Sequence, residues 1–549
     1  MKRILYSAVL ASLSTLAMAQ ETYQNAELMR PELTGTARYV GMGGALEALG
    51  ADISTISTNP AGIGLFRHSM ASVSAGLVSQ QDAKDFANAN KTNMSFDQAG
   101  FVYSTRTSRT SFLNFAFNYS KSRNFDEILY AAGRANKASL SKVPYNKEVA
   151  LYNENQGGNQ ENPRFTYIKN NEVLSEYRQY TQIDYLYFNT LTYDAKEKNF
   201  FCYDAEDYLM NRGQTGYIGR YDFNISGNIK DRVYLGLTFG LHDVHYKSYS
   251  QYSEKFVAST AANSGFAGTL LDDTREITGT GYDITLGAIF RPFADSPFRV
   301  GLSVATPTWY ELTTRNYTVL AVYNNDAQNT TAKGLDIDNY YDFKLYTPWK
   351  FGVSLGHTVG NYLALGASYE YADYGSSDNR IINGHDVYGN STSVSDRDMN
   401  ANTKMSLKGV STLKLGVEFK PDPAISARLG FNYVSPLYAK NGYKNSTVYS
   451  YGTSYQSMAD FTNWESTYRF TAGVGYKIGK VNLDLAYQYN TTKGTFYPFY
   501  DTCDGYVGSN YNNERTGFVG VDSEANNMAS PAKVSNKRHQ LLLTIGYTL

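Results

Sequence analysis

Six histidines, two cysteines and a few lysines and arginines on alternating faces are the residues of this 549-residue chain whose side chains could do chemistry. His242 and His245 stand three apart in an alternating segment, so they face opposite sides and do not share a metal. No Cys/His cluster is present, and no Ser/His/Asp set falls on one face in a catalytic arrangement. Cys202 and Cys503 are too few for a disulfide framework; both fall in connections, and pairing between them in an oxidising compartment stays open. The Gly41-x-Gly43-Gly44 run has Leu46 where a dinucleotide fingerprint needs its third glycine, and no strand precedes it. The expectation is therefore a protein without enzymatic activity, catalytic residues, cofactor or metal. The remaining charged candidates are Lys414, Lys420, Arg469 and Lys477, which would meet a ligand carboxylate or pair with Glu418 and Asp484.

The elements that must position these residues are strands. The chain opens with Lys2 and Arg3, an apolar run from Ile4 to Leu16 and the small-residue pattern Ala17-Met18-Ala19. Residues 1–19 read as a secretory signal peptide, cleaved before Gln20, and the run is too short to be a membrane span. No later stretch approaches 18 apolar residues, and mean hydropathy is −0.42, which excludes helical spans. Aromatics reach 15% of the sequence, with 49 tyrosines, while charged residues reach only 18%. Soluble domains carry about a quarter charged residues, so this balance suits a chain with extensive lipid–water boundaries. A net charge of −1 and the lack of a basic stripe give no reason to expect nucleic acid.

Period-two alternation recurs along the chain. In "YRFTAGVGYKIG" Tyr468, Phe470, Ala472, Val474, Tyr476 and Ile478 share one face, and Arg469, Thr471, Gly473, Gly475 and Lys477 the other. In "RVYLGLTFGLH" Leu235, Leu237, Phe239 and Leu241 oppose Gly236, Thr238, Gly240 and His242. Counted this way, strands fall at about 69–79, 97–105, 110–119, 215–227, 231–247, 278–291, 298–306, 348–357, 361–374, 406–420, 424–434, 467–478, 480–491 and 537–549. That makes fourteen. The connections "TRTS", "NIK", "RPFADS", "HTVGN", "KPDPA" and "IGK" are short, and each alternates with a long one. A soluble sandwich has no reason to sort its loops by length. An outer-membrane barrel does, with tight periplasmic turns, long extracellular loops and an even strand count. The fold class is therefore all-β: a transmembrane antiparallel β-barrel of about 14 strands over residues 67–549, in the outer membrane of a Gram-negative cell.

Between the signal peptide and the first strand, residues 20–66 include "GTARYVGMGGALEALGADISTISTNPAGIGLF". Pro60 donates no amide and Gly62 permits positive φ, so the stretch does not belong to a ladder. It is too small-residued to build its own core, but it would fill a preformed cavity. This stretch resembles the N-terminal hatch of the FadL/TodX family of outer-membrane channels, whose signature is an Asn-Pro-Ala triplet, here Asn59-Pro60-Ala61, followed by Gly62. The Asn-Pro-Ala-Gly form resembles that of Bacteroidetes members in particular. The resemblance spans residues 35–66. It implies a fourteen-stranded barrel with the hatch inside its lumen and passive uptake of hydrophobic small molecules, long-chain fatty acids or aromatic hydrocarbons. It also implies a first binding groove among external loops and lateral exit at a kinked third strand. The third strand here, "TSFLNFAFNYS", contains neither Gly nor Pro.

The candidate site residues are the hatch motif Asn59, Pro60, Ala61 and Gly62, with Asn59 bonding the turn's backbone. A candidate groove for the incoming ligand comes from two loop segments with helical spacing: Phe125, Ile128 and Leu129 in the first, Ile183, Leu186 and Tyr187 in the second. The plain alternative is that these stripes merely pack on each other. Expected partners are outer-membrane lipid and a hydrophobic small molecule, with the protein a monomer. Two other functions compete: a structural or shuttle barrel of a secretion machine, as in PorV-like relatives, and a haem receptor, for which no histidine sits in a convincing pocket pattern.

Overall fold

The structure is a computed structural model and describes residues 21–153, 168–169, 172–173, 180–194, 196, 199–324, 331–501 and 527–549. The expected signal peptide lies outside the described residues, as does Cys503. Among the described residues fourteen long strands form one antiparallel wall. They are β1 (Met70–Gln80), β2 (Thr92–Ser108), β3 (Ser111–Asn124 and Glu127–Arg134), β4 (Ala205–Ile229) and β5 (Val233–Phe256). Next come β6 (Phe266–Phe290), β7 (Arg299–Ala305 and Trp309–Asn324), β8 (Thr331–Tyr346 and Lys350–Val359) and β9 (Leu363–Asp373 and Asp378–His385). The wall ends with β10 (Gly409–Asp422), β11 (Ile425–Val434), β12 (Phe461–Ile478), β13 (Val481–Tyr497) and β14 (Ala532–Thr548). Each pairs with its sequence neighbours, and Met70 of β1 pairs with Thr548 of β14, which closes the barrel. Closure leaves no sheet edge in lipid, where an unpaired amide costs several kcal/mol.

The two faces separate as the alternation demands. On β12, Phe470 and Val474 are more than half exposed while Arg469 and Thr471 are buried. On β5, Leu235, Leu237, Phe239 and Leu241 form an outward apolar row. The same face continues with Asp243, His245 and Lys247, the last two bound to carboxylates. The apolar row therefore ends at Leu241, and the remaining turnless length of this 24-residue strand stands beyond the lipid. All fourteen strands from the sequence are present, but several run much longer than alternation of apolar residues revealed. Trp309–Asn324 and Thr331–Tyr346 extend β7 and β8 through what reads in sequence as a loop.

At the long-loop end, a first aromatic-rich core gathers Tyr23, Phe125, Tyr246, Tyr341, Tyr438 and Trp464, and a second gathers Leu129, Ile183, Leu186, Tyr187, Tyr252 and Phe256. One correction arises here. The helical segment read at Phe125, Ile128 and Leu129 is instead strand: Ile128 and Leu129 lie in the Glu127–Arg134 segment of β3, paired to Gly213 and Arg212, and Phe125 sits at its hinge. Apolar residues three or four apart fit either element, and the long edge of β4 decides. Leu129, Ile183, Leu186 and Tyr187 pack into one buried cluster, as the plain alternative in the sequence reading has them. Ile183, Leu186 and Tyr187 do lie on or at the end of a helix, Gln182–Tyr187, capped by Thr181.

Candidate functional site in the barrel lumen

Residues 21–66 run across the inward faces of the strands. A helix, Thr22–Met29, leads the segment; its Tyr23 ring stacks on Tyr438 at 5.2 Å. A second short turn, Ala37–Gly41, is capped by Thr36. Two 3₁₀ turns follow, Ile53–Ser57 and Pro60–Leu65, capped by Asp52 and Asn59. Such short broken turns leave many carbonyls unpaired, and buried carbonyls need donors. The wall supplies them. Thr471 donates to the Gly41 carbonyl at 3.1 Å, Arg299 to Leu49 at 3.1 Å and Thr238 to Ile56 at 2.7 Å. Ser226 donates to Pro60 at 2.8 Å and Asn114 to Ile63 at 2.6 Å. Buried ion pairs add to these: Arg38 to Glu418 at 3.0 Å and Lys414 to Glu47 at 2.6 Å.

Close approach is possible because the wall presents glycines. Gly356, Gly366, Gly416 and Gly430 are successive cross-strand neighbours on β8 to β11, and the segment's Ala45, Met42, Gly43 and Leu49 lie against them. Gly43 takes φ +63°, and a β-carbon there would also collide with the backbone of Phe431. On the other side of the lumen Pro60 and Ala61 press on paired Gly236 and Gly287. This explains the proline and glycines of "STNPAGIGLF". Pro60 begins a 3₁₀ turn where its missing amide costs nothing, and the turn is held by the wall. The Asn59 side-chain oxygen accepts the Ala61 amide at 3.2 Å, and its amide nitrogen is buried with no hydrogen-bond partner among the described residues. Gly62 is needed for space: its φ is not positive, and a β-carbon would lie 2.5 Å from the Thr55 hydroxyl.

The segment separates two polar cavities. One, about 180 Å³, is lined by Glu32, Tyr39, Arg123, His242, Thr347 and Arg469 among others. The other, about 380 Å³, lies toward the short turns and is lined by Arg38, Asp52, Lys420, Arg428, Lys477 and Asp484. Between them the Thr36 hydroxyl donates to the Asp52 carboxylate at 2.9 Å and accepts the Tyr39 amide at 3.1 Å, while the Thr36 amide donates to Ser54. Glu32 is pushed up by burial, but the Arg538 and Arg123 guanidiniums outweigh this and hold its carboxyl below the usual range. Of the four cations singled out in sequence, Lys414 is paired with Glu47 and Glu370, and Lys420 lies 3.5 Å from Glu418. Arg469 binds Asn432 and the Pro31 carbonyl. Arg428 bridges Glu418 and Asp484, and Glu418 is shared with Arg38 and Lys420.

No protein-family model matches the chain, and no curated protein matches it. Among solved structures it is similar to the toluene transporter TbuX of Ralstonia pickettii, with 13% identity over 94% of this chain and 99% of that one and a TM-score of 0.43. It is similar to a FadL homologue of Pseudomonas aeruginosa, with 13% identity over 97% and 99% of the two chains and a TM-score of 0.45. The toluene transporter TodX of Pseudomonas putida gives 11% identity over 94% and 98%, with a TM-score of 0.42.

Sequence reasoning missed two features. His242 bonds Asp283 at 2.9 Å through Nε2 and Tyr310 at 3.3 Å through Nδ1, so both ring nitrogens are engaged. Arg220 bridges Asp283 and Asp222 beside it. All five groups face inward on adjacent strands, a relation that needs the register. The third strand does break its ladder without Gly or Pro. β2–β3 pairing runs only to Gln98 and Ser120, and the β3–β4 register shifts between Lys121 and Arg123. Beyond it, Lys121 donates to Ser95 at 2.8 Å and the Phe96 and Tyr119 rings stack.

Proposed function

We propose that the protein is an outer-membrane channel for passive uptake of hydrophobic small molecules, long-chain fatty acids or aromatic hydrocarbons, with residues 20–66 acting as a hatch inside a barrel formed by residues 67–549. The observation that carries the reading is the seating of residues 21–66: backbone against wall glycines, carbonyls on wall hydroxyls and amides, with a polar cavity on each side. Such a segment blocks free diffusion, yet its apolar clusters, one around Tyr39, Val40 and Leu46 and one around Ile53, Ile56 and Ile63, are small and the rest of its hold is single hydrogen bonds and ion pairs to the wall, so it yields without the barrel unfolding.

In this reading a ligand arrives at the cap, where the cluster of Leu129, Ile183, Leu186 and Tyr187 parts to admit it. It reaches the cavity beside Glu32 and Arg123 and leaves at the broken β2–β3 ladder, where the same cavity meets Ser120 and Ser122. Asn59-Pro60-Ala61-Gly62 fixes the turn that keeps the hatch against β4, β5 and β6. The unpartnered Asn59 amide nitrogen marks it as a turn with a hydrogen bond still to make.

The test is deletion of residues 21–66 behind the signal peptide. The barrel should still fold, judged by heat-modifiable mobility, and liposomes containing it should swell in sugar solutions while those with the intact chain do not. A folded, truncated barrel that excludes sugars would place the block elsewhere and end this reading.

A further inference from the structure

The wall has a second interruption, away from the β2–β3 ladder. Three adjacent strands leave the sheet at one level: β7 at residues 306–308, β8 at 347–349 and β9 at Tyr374–Ser376. The register brings the breaks face to face. Ala305 pairs with Lys350 on one side of the β7–β8 break and Trp309 with Tyr346 on the other. Lys350 pairs with Ala372, and Tyr346 with Asp378, so the β8–β9 break coincides with it. Pro307 and Pro348 stand in the β7 and β8 breaks, where neither offers an amide to a neighbour. What closes the seam between β7 and β8 is a pair of bonds: the Thr347 amide to the Thr308 carbonyl at 3.1 Å, and the Thr308 amide to the Thr347 hydroxyl at 2.8 Å.

Each break contributes to the same cavity. Thr308, Thr347 and Tyr374 all line the 180 Å³ lumen cavity from within. On the outside stand two of the chain's three tryptophans. Trp349 is half exposed, and the Trp309 ring packs against Tyr282 at 5.1 Å. Tryptophan and tyrosine concentrate at the membrane–water boundary, which puts the outer mouth of the seam at the bilayer interface. Irregular backbone at membrane depth is tolerated where it lines a cavity, and three aligned breaks in one wall satisfy that condition only because the cavity lies behind them.

We propose that this seam is a side port joining the lumen cavity to the bilayer, and that it passes membrane-dissolved molecules with an apolar body and a small polar group, the group being handed along the Thr308 and Thr347 hydroxyls. The proposal rests on the reading that the lumen cavity receives a ligand, and it adds a route independent of the β2–β3 ladder.

The test uses the full chain in liposomes, with Cys202 and Cys503 replaced by Ser and a single reporter, Thr412→Cys, on unbroken β10 in the same cavity. Pyrene maleimide dissolved in the bilayer should label the reporter. Pro307→Thr with Pro348→Thr returns two amides to the ladder and should slow this labelling about tenfold, while labelling by a charged, water-soluble maleimide stays unchanged. If the double variant does not fold, Thr308→Phe, which fills the seam from inside, should slow labelling in the same sense. Equal bilayer-side rates in closed and native walls overturn the port and assign access to the β2–β3 ladder. No bilayer-side labelling of the native wall overturns it as well. Both outcomes are read whether or not deletion of the hatch opens the barrel, so failure of the port and failure of the hatch are separable.

Discussion

A β-carbon built on Gly366 would overlap the carbonyl oxygen of Ala45, so barrel wall and N-terminal segment meet there backbone to backbone. Gly366 is one of four cross-strand glycine neighbours, and at three of them, Gly366, Gly416 and Gly430, a β-carbon would collide with the segment's backbone.

Gly366→Val should therefore unseat the segment at Ala45 at a cost of about 1–3 kcal/mol, the usual range for overpacking. The barrel should keep its heat-modifiable mobility, and liposomes should become permeable to sugars. Gly227, on the same wall but with nothing within 4 Å of a β-carbon, is the control, and Gly227→Ala should behave as the unaltered chain.

The lipid face of β12 is tested by adjacent residues. Val474 is more than half exposed on the outward face, and Val474→Arg should destabilise the barrel in lipid by roughly 2–4 kcal/mol. Gly475 points inward beside Asp484 and Ser426, so Gly475→Arg should crowd the lumen cavity with a smaller loss in folding free energy. Urea unfolding in lipid vesicles reads both, and equal losses would mean the register is wrong.

Glu32 links the segment's hold to pH. Its folded pKa lies below the unfolded value, so its contribution is full above the unfolded carboxylate range, near about 4.3, and is lost as pH falls through the folded value. Sugar permeability should rise on acidification below that range. Glu32→Gln should show raised permeability at neutral pH and a flatter response to acid, measured by swelling at pH 3 and pH 7.

Orientation follows from the two ends of the barrel. A protease site inserted at the hairpin tip beside Val387, which is 94% exposed, should be cut on intact cells. One inserted at Pro423-Ala424, in the short turn between β10 and β11, should be protected. Cleavage only at the second would invert the barrel.

Much of the wall was legible because a strand's two faces are a local property. Leu235 to Leu241 and Tyr468 to Ile478 announce an outward face by alternation alone, and turns such as "NIK" mark where the chain reverses. The upper halves of β7 and β8 were not legible, since Thr313, Arg315, Asp338 and Asp342 face water there and no apolar alternation marks the strand. Over 127–134 the spacing of Ile128, Leu129 and Ala132 suits helix and strand equally.

The sequence by itself determined the all-β alternation, the sorting of loops by length and a broken, small-residued segment before β1, because each rests on neighbours along the chain. That this segment gathers Leu33, Tyr39, Val40, Met42, Leu46 and Leu49 into a cluster of its own is a correction that only the fold supplied. Only the tertiary structure decided which glycines receive that segment, since Gly236 and Gly287, or Gly366 and Gly416, come together through register across strands. The same holds for His242 with Asp283, for the ladder break at Lys121 and for the alignment of Pro307 with Pro348. Each depends on which residues closure of the barrel sets side by side, and that is settled by the hydrogen-bond ladder as a whole.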